Sequence, residues 1–444
     1  MARRSRKRRD DTVYTAEVSD LDHHGNGVAR SHGKVVFIAG ALPGETVRFR
    51  IQRKRSKFDF GKLEEIVTAS PDRVTPPCEV FGVCGGCSLQ HLRYAAQINF
   101  KQSLLREQLQ HVGNVEPQTW LAPLSSEPWH YRRKARLGVR LVPKKGGILV
   151  GFREKGASYI TGLQGCHVLD RHIAEQLPAL HKLITGMSCP NRIPQIEVAA
   201  GDNELAFIFR NLDPLTDADE NRFVDYGKKT GIQIYKQPAG PDSIARLWPV
   251  DAPALSYTLP AYNLCFNFRP TDFTQVNAGM NQLMIEQALA LLGLNHDDRV
   301  LDLFCGLGNF TLPIATEAGQ VLGIEADELL ITAARVNASN NKVANADFRC
   351  ADLYQYTEEL PWHGFSYNKL LLDPPRSGAL EVLERLPEAG PDRIVYVSCN
   401  PATLARDTDY LVSKRGYTLV QAGILDMFPQ TSHVESMAMF EKNH

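Results

Sequence analysis

Short apolar segments alternate with turn-forming residues through the first 68 residues of the chain. The alternation predicts strands at 14–18, 35–38, 46–52 and 61–67. Between them, Gly25-Asn26-Gly27 and Leu42-Pro43-Gly44 supply the residues that tight turns require. Short strands at this spacing are typical of a small OB-like β-barrel of the oligonucleotide-binding type. We therefore predict such a barrel over residues 12–68, preceded by a basic tail at 1–11.

The next segment is irregular before it becomes periodic. Residues 70–77 (SPDRVTPP) are rich in proline and turn formers and mark a domain boundary. A helix is predicted from 91 to about 111, and strand-like segments such as 135–141 then mix with a helical one near 173–184. We expect residues 69–264 to form a central α+β domain, whose topology the pattern does not reveal.

From residue 265 onward, helical periodicity alternates with short, wholly apolar strands. The strands are predicted at 300–304, 321–324, 370–372 and 394–397. Such alternation is typical of a parallel sheet covered by helices on both faces. Residues 265–444 are therefore predicted to form a doubly wound α/β (Rossmann-like) domain.

Charge changes this picture mainly at the N-terminus. The chain holds 50 basic and 50 acidic residues, but residues 1–62 hold 15 and 7 of them, which leaves 35 and 43 elsewhere. A basic end on a balanced protein predicts a polyanionic partner, most simply nucleic acid. Arg53-Lys54-Arg55, near Phe58 and Phe60, adds charge and stacking surface. For residues 1–9 alone, a solvated tail is the alternative interpretation.

Apolar runs and cysteines indicate the cellular compartment of the protein. No apolar run is long enough to cross a bilayer, and none follows the basic N-terminus as in a secretory signal. We therefore expect a cytoplasmic protein without a membrane partner. Nine cysteines in such a chain argue against disulfides. Four of them are interpreted as ordinary buried thiols: Cys189, Cys265, Cys305 and Cys350.

The turn after the strand at 300–304 has the composition of a ligand-binding loop. Its two glycines, Gly306 and Gly308, let the backbone approach a ligand at the carboxyl end of a strand. The next strand ends in Glu325, which can accept hydrogen bonds from both ribose hydroxyls, and Asp352 follows a third strand-like segment, within reach of an adenine edge. Thr311 stands where a dinucleotide fingerprint has its third glycine. The spacing therefore favours S-adenosylmethionine over NAD.

Two later strands end in reactive side chains. Asp373 begins a stiff turn that two prolines fix, and Cys399 follows the strand at 394–397. A thiolate that adds to carbon 6 of uracil puts electron density on carbon 5, which can then take a methyl group. A cationic cofactor nearby would favour the thiolate. Alone, Cys399 would be interpreted as a small buried residue at a strand end; beside Asp373-Pro374-Pro375-Arg376 we interpret it as a nucleophile.

The segment at 428–437 supplies a candidate base. It places His433 and Glu435 after another predicted strand. A carboxylate held near the substrate could remove the carbon-5 proton. The alternative is that Glu435 is an exposed charge at a strand end.

Three cysteines, Cys78, Cys84 and Cys87, fall within ten residues of a glycine-rich segment. Cys166 is the best candidate for a fourth ligand. Four thiolates hold either a tetrahedral zinc ion or a 4Fe–4S cluster, and the spacing leaves both possibilities open. The spacing differs from that of radical enzymes that cleave S-adenosylmethionine, so we expect a structural or RNA-positioning role.

Five ordered motifs resemble those of the RNA 5-methyluridine methyltransferases. They are F-x-Q-V-N at 273–277, L-D-L-F-C-G-x-G-N-F at 301–310, D-P-P-R at 373–376, S-C-N-P at 398–401 and H-x-E-S-M at 433–437. The resemblance implies that Cys399 is the nucleophile and Glu435 the base. It also implies S-adenosylmethionine contacts from Gln275, Phe304, Asn309, Glu325, Asp352 and Asp373.

The N-terminal barrel resembles a TRAM domain. With the cysteine cluster, it makes the chain similar to those family members that modify 23S ribosomal RNA. The resemblance implies a single-stranded or looped uridine of that RNA as substrate and a 4Fe–4S cluster on the four cysteines. We expect the chain to act as a monomer. The alternatives are a transfer RNA enzyme of the same family, an inactive RNA-binding or assembly protein, and a nicotinamide-dependent oxidoreductase.

Overall fold

A computed structural model describes residues 12–355 and 359–443. These residues form two compact units, the first within Met1–Lys101 together with Gln430–His433, the second comprising Gln102–Pro429 and Val434–His444. The basic tail predicted at 1–11 lies outside the described residues. The predicted division into four segments stays a prediction.

The first unit contains a closed five-stranded barrel, as the N-terminal alternation predicts. Its strand order is β1-β2-β3-β5-β4, and β4 pairs with β1 to close it. Every second side chain points inward, and Val18, Ala29, Val36, Ile38 and Phe49 form the sealed interior. The strands are β1 (Val13–Leu21), β2 (Asn26–Ser31), β3 (Lys34–Ala39), β4 (Thr46–Lys54) and β5 (Phe58–Thr68).

The second strand differs from the prediction, which placed a turn at Gly25-Asn26-Gly27. The turn lies earlier, because the Asp22 carboxylate accepts the backbone N–H groups of His24 and Asn26 and closes an Asx turn. Gly25 completes it at φ 77°. Asn26 and Gly27 are therefore free to pair with β3.

The second unit begins with a central region built on a mixed six-stranded sheet of order β12-β11-β10-β9-β7-β8. The predicted helix at 91–111 begins three residues later, at Tyr94. The elements are α1 (Tyr94–His111), which starts in the first unit, β6 (Thr119–Trp120), β7 (Lys134–Val142), β8 (Gly147–Gly151), α2 (Arg171–Thr185), β9 (Gln195–Ala200), β10 (Leu205–Arg210), α3 (Asp217–Thr230), β11 (Gln233–Gln237) and β12 (Ala245–Trp248).

A two-stranded sheet, β13 with β14, precedes an eight-stranded sheet of order β17-β16-β15-β18-β19-β21-β20-β6. The elements are β13 (Leu255–Leu259), β14 (Leu264–Phe268), α4 (Ala278–Leu292), β15 (Arg299–Leu303), α5 (Thr311–Ala315), β16 (Gln320–Glu325), α6 (Glu328–Asn340), β17 (Ala346–Cys350), β18 (Lys369–Leu372), α7 (Leu380–Glu384), β19 (Arg393–Ser398), α8 (Pro401–Arg415), β20 (Tyr417–Leu425) and β21 (Glu435–Lys442).

The eight-stranded sheet is doubly wound, as predicted. Strands β15 to β19 are parallel, whereas β21 runs antiparallel to β19. Along β19, Val395 and Val397 belong to the same core as α4, α5 and α6. Tyr396 points to the opposite face, where its hydroxyl donates to Asp407 of α8. No described helix is long and apolar enough to span a membrane.

One buried ion pair holds the amino-terminal edge of this sheet together. Lys369 Nζ of β18 lies 2.7 Å from Asp298 Oδ2, and their side chains are 10% and 3% exposed. Asn368 Nδ2 donates to the other oxygen, Asp298 Oδ1, at 2.7 Å. Burial by itself would raise the pKa of Asp298, but these donors hold it below its usual value. The Asp298 carboxyl group therefore stays ionised at neutral pH.

We predict that Lys369→Met lowers the free energy of unfolding by about 3 kcal/mol, because it leaves the Asp298 carboxylate buried without its cation. Urea denaturation measures the change. The matched control is Asp213→Asn, which breaks an ion pair with Arg192 on the surface and should leave the unfolding midpoint almost unchanged. Equal effects of the two substitutions would contradict a special role for the buried pair.

Candidate active site

Parallel strands bring five of the predicted site residues to one edge of the eight-stranded sheet. Phe304, Asp373 and Cys399 directly follow β15, β18 and β19, Glu325 ends β16, and Asp352 lies two residues beyond β17. Because these strands are parallel and in register, their carboxyl ends share one edge. The edge also contains the point between β15 and β18 where the strand order reverses.

The loop after β15 is shaped to receive a ligand. Phe304 adopts a left-handed conformation with φ 67°, which turns the chain sharply out of the strand. Gly306 follows at φ 56°, and a Cβ added there would meet no atom within 4 Å. The backbone of this loop therefore borders open space that a ligand can approach closely.

The carboxylate of Glu325 is fastened to the same loop. Its Oε2 accepts the Gly306 N–H at 3.2 Å, and its Oε1 accepts the N–H groups of Ala326 at 2.7 Å and Asp327 at 3.2 Å. The loop and the acidic end of β16 thus hold each other in place. Asp352 is exposed, and its Oδ1 accepts the Tyr354 N–H at 3.0 Å. The Tyr354 ring lies 5.7 Å from that of Phe304.

Asn309 is held by two residues that the sequence analysis missed. Its Oδ1 accepts the Tyr257 hydroxyl at 2.8 Å and Asn281 Nδ2 at 3.0 Å, and its Nδ2 donates to Asn281 Oδ1 at 2.8 Å. Gln275 lines a small cavity beside Tyr257 and Asn281. Tyr257 lies on β13 and Asn281 on α4, and nothing in their local sequence distinguishes them from ordinary core positions.

Strand pairing brings Cys399 and Glu435 together. Ser398, the last residue of β19, pairs with Ser436 of the antiparallel β21, and the Ser436 hydroxyl donates to the Ser398 carbonyl at 3.4 Å. Cys399 and Glu435 are the next residues outward on the two strands. Cys399 is half-buried, and Glu435 is 8% exposed. His433, which follows the same predicted strand, belongs to the first unit.

The loop that starts at Asp373 is tied to the start of α8. Asn400 accepts the Ala402 N–H as the N-cap of α8, and its Nδ2 donates to the Arg376 carbonyl at 3.1 Å. Thr403 Oγ1 donates to the same carbonyl at 3.4 Å. The segment around Asp373 and the segment around Cys399 therefore form one connected framework.

Negative groups shape the electrostatics of the site. Burial raises the pKa of the Cys399 thiol; the carboxyl groups of Glu435 and Asp373 raise it further, and Arg376 partly offsets them. Burial also raises the pKa of Asp373 to about 7.

A further acidic residue, Asp302, was not identified from the sequence. Thr311 Oγ1 donates to its Oδ2 at 2.5 Å, while its Oδ1 has no partner among the described residues. Burial, together with Asp373 and Glu325, raises its pKa to about 7. So many acidic groups at one edge, with open backbone at Gly306, fit a cationic ligand such as the sulfonium of S-adenosylmethionine.

The cysteine cluster is not resolved as a metal site. Cys84 is buried, Cys78, Cys87 and Cys166 are half-buried, and the Gly86 N–H lies 3.4 Å from Cys84 Sγ. Among residues 12–355 and 359–443, no three histidine, cysteine or acidic side chains are grouped to hold a metal ion. The iron–sulfur assignment is therefore not confirmed.

The burial expected for four of the cysteines is wrong in three cases. Cys305 is buried, whereas Cys189, Cys265 and Cys350 are exposed. Cys265 occupies an outward position on the β13–β14 hairpin, and Cys350 lies on the edge strand of the eight-stranded sheet. Residue type alone does not say which face of an edge or hairpin strand is covered.

Two family models match the chain. Residues 255–443 match the tRNA (Uracil-5-)-methyltransferase model, and residues 7–63 match the TRAM domain. These matches cover the region of the proposed site and the barrel. A crystal structure of Pyrococcus abyssi tRNA (uracil-54, C5)-methyltransferase in complex with S-adenosyl-L-homocysteine has a TM-score of 0.73 and 24% identity, and the alignment covers 96% of this chain and 100% of that one. At this identity the likeness shows the methyltransferase fold.

Curated relatives extend the similarity over the whole chain. A 23S rRNA (uracil(1939)-C(5))-methyltransferase RlmD from Alkalilimnicola ehrlichii is 48% identical, with 99% of each chain covered. One from Nitrosococcus oceani is 51% identical, with 96% of each covered. Identity near one half over almost the full length of both proteins means that this chain belongs to the 23S rRNA (uracil(1939)-C(5))-methyltransferase RlmD family.

Proposed function

We propose that this protein transfers a methyl group from S-adenosylmethionine to carbon 5 of uridine 1939 in 23S ribosomal RNA, the reaction for which its relatives are named. The observation that carries the proposal is the pairing of Ser398 with Ser436. Because of this pairing, Cys399 and Glu435 lie at neighbouring ends of β19 and β21. The TRAM domain match supports RNA binding by the barrel.

The donor would lie against the edge formed by β15 to β18. Phe304, Glu325, Asp352 and Asp373 are the groups at that edge, with Asn309 and Gln275 at its side. When bound, S-adenosylmethionine supplies an electrophilic methyl group on a positively charged sulfur. The carboxylate of Glu325, already held by Gly306, is oriented to accept hydrogen bonds from a ribose, and the buried acids favour the positive charge.

The protein's own groups then account for the chemistry on uracil. The Cys399 thiolate adds to carbon 6, and the electron pair of the carbon 5–carbon 6 double bond moves into an enolate with density on carbon 5. Carbon 5 takes the methyl group. Glu435 accepts the proton that carbon 5 still carries, the double bond re-forms, and the carbon–sulfur bond breaks to return the thiolate. A target uridine must leave its stack to reach both groups, which is easiest in a loop.

We predict that two substitutions separate the nucleophile from the base. Cys399→Ala should bind RNA and S-adenosylmethionine but form neither adduct nor product. Glu435→Gln keeps the thiolate, so addition and methyl transfer proceed while proton removal stalls. A methylated, covalent protein–RNA complex should therefore accumulate and survive denaturing electrophoresis.

Two matched controls bracket this experiment. Glu441→Gln changes the same residue type on the same strand, where Glu441 pairs with Arg393 away from Cys399; Cys189→Ala removes an exposed thiol. Both should turn over normally. Normal turnover by Glu435→Gln would show that Glu435 is not the base. Preferential methylation of transfer RNA by the wild-type protein would overturn the substrate assignment.

A second prediction concerns the protonation of Cys399. Burial, Glu435 and Asp373 raise its pKa, so the thiol should be mostly protonated at neutral pH without a cation nearby. S-adenosylmethionine has one more methyl group than S-adenosylhomocysteine, and its sulfur atom is therefore positively charged. The cation should lower the thiol pKa by at least about one unit relative to the neutral product.

Thiolate ultraviolet absorbance, taken as wild type minus Cys399→Ser across a pH series, measures this shift. The same subtraction with Cys189→Ser should give one midpoint with both ligands. Identical midpoints for Cys399 with the two ligands would contradict electrostatic activation by the donor.

We further propose that Cys78, Cys84, Cys87 and Cys166 hold a 4Fe–4S cluster. The donor set supports this: three cysteines lie within ten residues, and the Gly86 N–H directed at Cys84 Sγ is a contact that favours a thiolate. The cluster would bind iron through these four sulfurs and would hold the glycine-rich segment in place. No step of the methyl transfer proceeds through it.

We predict that anaerobically purified protein contains about four irons and matching sulfide per chain. Cys166→Ser should lose both, whereas Cys265→Ser, an exposed thiol, should retain them. Stoichiometric zinc without iron would contradict the cluster, and full iron retention by Cys166→Ser would place the fourth ligand elsewhere.

A further inference from the structure

Positive charge is concentrated in one segment of the second unit. Residues 132–155 hold nine basic side chains and one acidic one, although the whole chain holds 50 of each. The segment consists mainly of β7, β8 and the turn between them, which form an antiparallel hairpin. An excess of eight positive charges on one hairpin of a balanced protein indicates a surface that meets a polyanion.

A loop that follows β8 lies beside the tip of this hairpin. Lys145 belongs to the turn between β7 and β8, and its Nζ lies 3.4 Å from Glu154 Oε1. The Glu154 N–H donates to the Tyr159 carbonyl at 2.9 Å, which closes residues 154–159 into a loop. The turn and the loop together form the hairpin-tip surface, which contains Arg140, Lys144, Lys145, Arg153 and Tyr159.

Three cations of the hairpin-tip surface are not neutralised by the protein itself. The side chains of Arg140, Lys144 and Arg153 are exposed, and they make no ion pair or hydrogen bond with any of residues 12–355 and 359–443. Nearer the start of β7 the situation differs, because Arg136 Nη2 lies 2.9 Å from Glu197 Oε1. The positive charge at the tip of the hairpin is therefore available to an external anion.

Tyr159 adds a flat aromatic group to the same surface. It is 70% exposed, although an aromatic ring is usually stabilised by burial. Proteins that bind single-stranded nucleic acid combine basic groups, which contact the phosphates, with aromatic rings on which the bases stack. An acidic protein or a lipid headgroup would use the cations alone. The combination of charge and exposed ring therefore favours single-stranded RNA.

We propose that the hairpin-tip surface is an RNA-docking site that binds a single-stranded part of the substrate away from the reaction centre. Arg140, Lys144 and Arg153 contact phosphates, and Tyr159 stacks on an unpaired base. The inference rests on the proposed function, in which RNA is the substrate.

The strand β7 connects this surface with the candidate active site. Directly before β7, the Arg133 N–H donates to the carbonyl of Val276, one residue after Gln275, at 2.9 Å. The nine residues of β7, at about 3.3 Å each, then extend about 30 Å towards the tip. Contacts made so far from the reacting atoms stabilise the bound substrate and the transition state equally. The docking site therefore raises RNA affinity and leaves the rate of methyl transfer in the bound complex unchanged.

The test is equilibrium binding of the full-length protein to a 23S ribosomal RNA fragment that contains uridine 1939, measured over a salt series. The triple variant Arg140→Gln/Lys144→Gln/Arg153→Gln should bind more weakly. The slope of log Kd against log salt should fall by about two, because each phosphate contact to a single strand contributes about 0.7. The matched control removes three exposed charges from α2 and α3, as Lys182→Gln/Lys228→Gln/Lys229→Gln, and should keep the wild-type slope.

Two substitutions of Tyr159 test stacking separately from charge. Tyr159→Leu should lower RNA affinity about tenfold without changing the salt slope, whereas Tyr159→Phe, which retains the ring, should match wild type. In single-turnover reactions at saturating RNA, all of these variants should transfer the methyl group at close to the wild-type rate.

The outcomes distinguish the docking site from the function on which it rests. An unchanged affinity and salt slope in the triple variant, or equal losses in the triple variant and its control, would overturn the docking site and leave the proposed reaction intact. Equal effects of Tyr159→Leu and Tyr159→Phe would refute stacking on the ring. Absence of methyl transfer by the wild-type protein would instead overturn the proposed function, while the binding series would still decide whether this surface docks RNA.

Discussion

The antiparallel pairing of β19 with β21 is the constraint on which the candidate site depends. Strands β15 to β19 all run in the same direction, so each of them contributes side chains to the carboxyl edge only where it ends. By running the other way, β21 delivers Glu435 at its beginning, one residue beyond the Ser398–Ser436 pair, where Cys399 directly follows β19. A shift of one residue in this register would exchange the inward and outward side chains of the strand. The buried Ser398–Ser436 contact and the apolar β21 side chains specify the register.

The features predicted from sequence are those encoded locally. The Gly306–Asn309 loop, the Asp373 turn and the Cys399 strand end are each written in a few adjacent residues, and the structure places them at one sheet edge as expected. Strand alternation likewise predicts the barrel and the doubly wound domain. The roles predicted for Cys399 and Glu435 come from their chemistry and from the family resemblance, and the geometry is consistent with both.

What the sequence did not reveal depends on contacts between distant segments. Tyr257 and Asn281 hold Asn309 from two other elements, and Asp302 is distinguished only by the burial that the sheet imposes on it. Gln430 has an ordinary sequence context, yet its carbonyl and amide meet groups more than 300 positions away along the chain. Hydrophobic periodicity shows which face of an element is apolar, but it does not show which polar side chains from other elements contact it.

The membership in a methyltransferase family excludes the oxidoreductase alternative.

Electrostatics give the site an order of events. Burial and the carboxyl groups of Glu435 and Asp373 raise the pKa of the Cys399 thiol, so the proposed nucleophile would stay protonated in the free protein and protected from stray electrophiles. A cationic donor bound at the same edge would reverse that balance, and thiolate formation would then coincide with the presence of the methyl group. In the proposed reaction, once carbon 5 has taken the methyl group, Cys399 is a neutral thioether on carbon 6 and carries no negative charge for Glu435 to oppose. Glu435 would lose its own negative charge on taking the carbon-5 proton, so the group that opposes the thiolate at the start would no longer oppose it when the carbon–sulfur bond breaks.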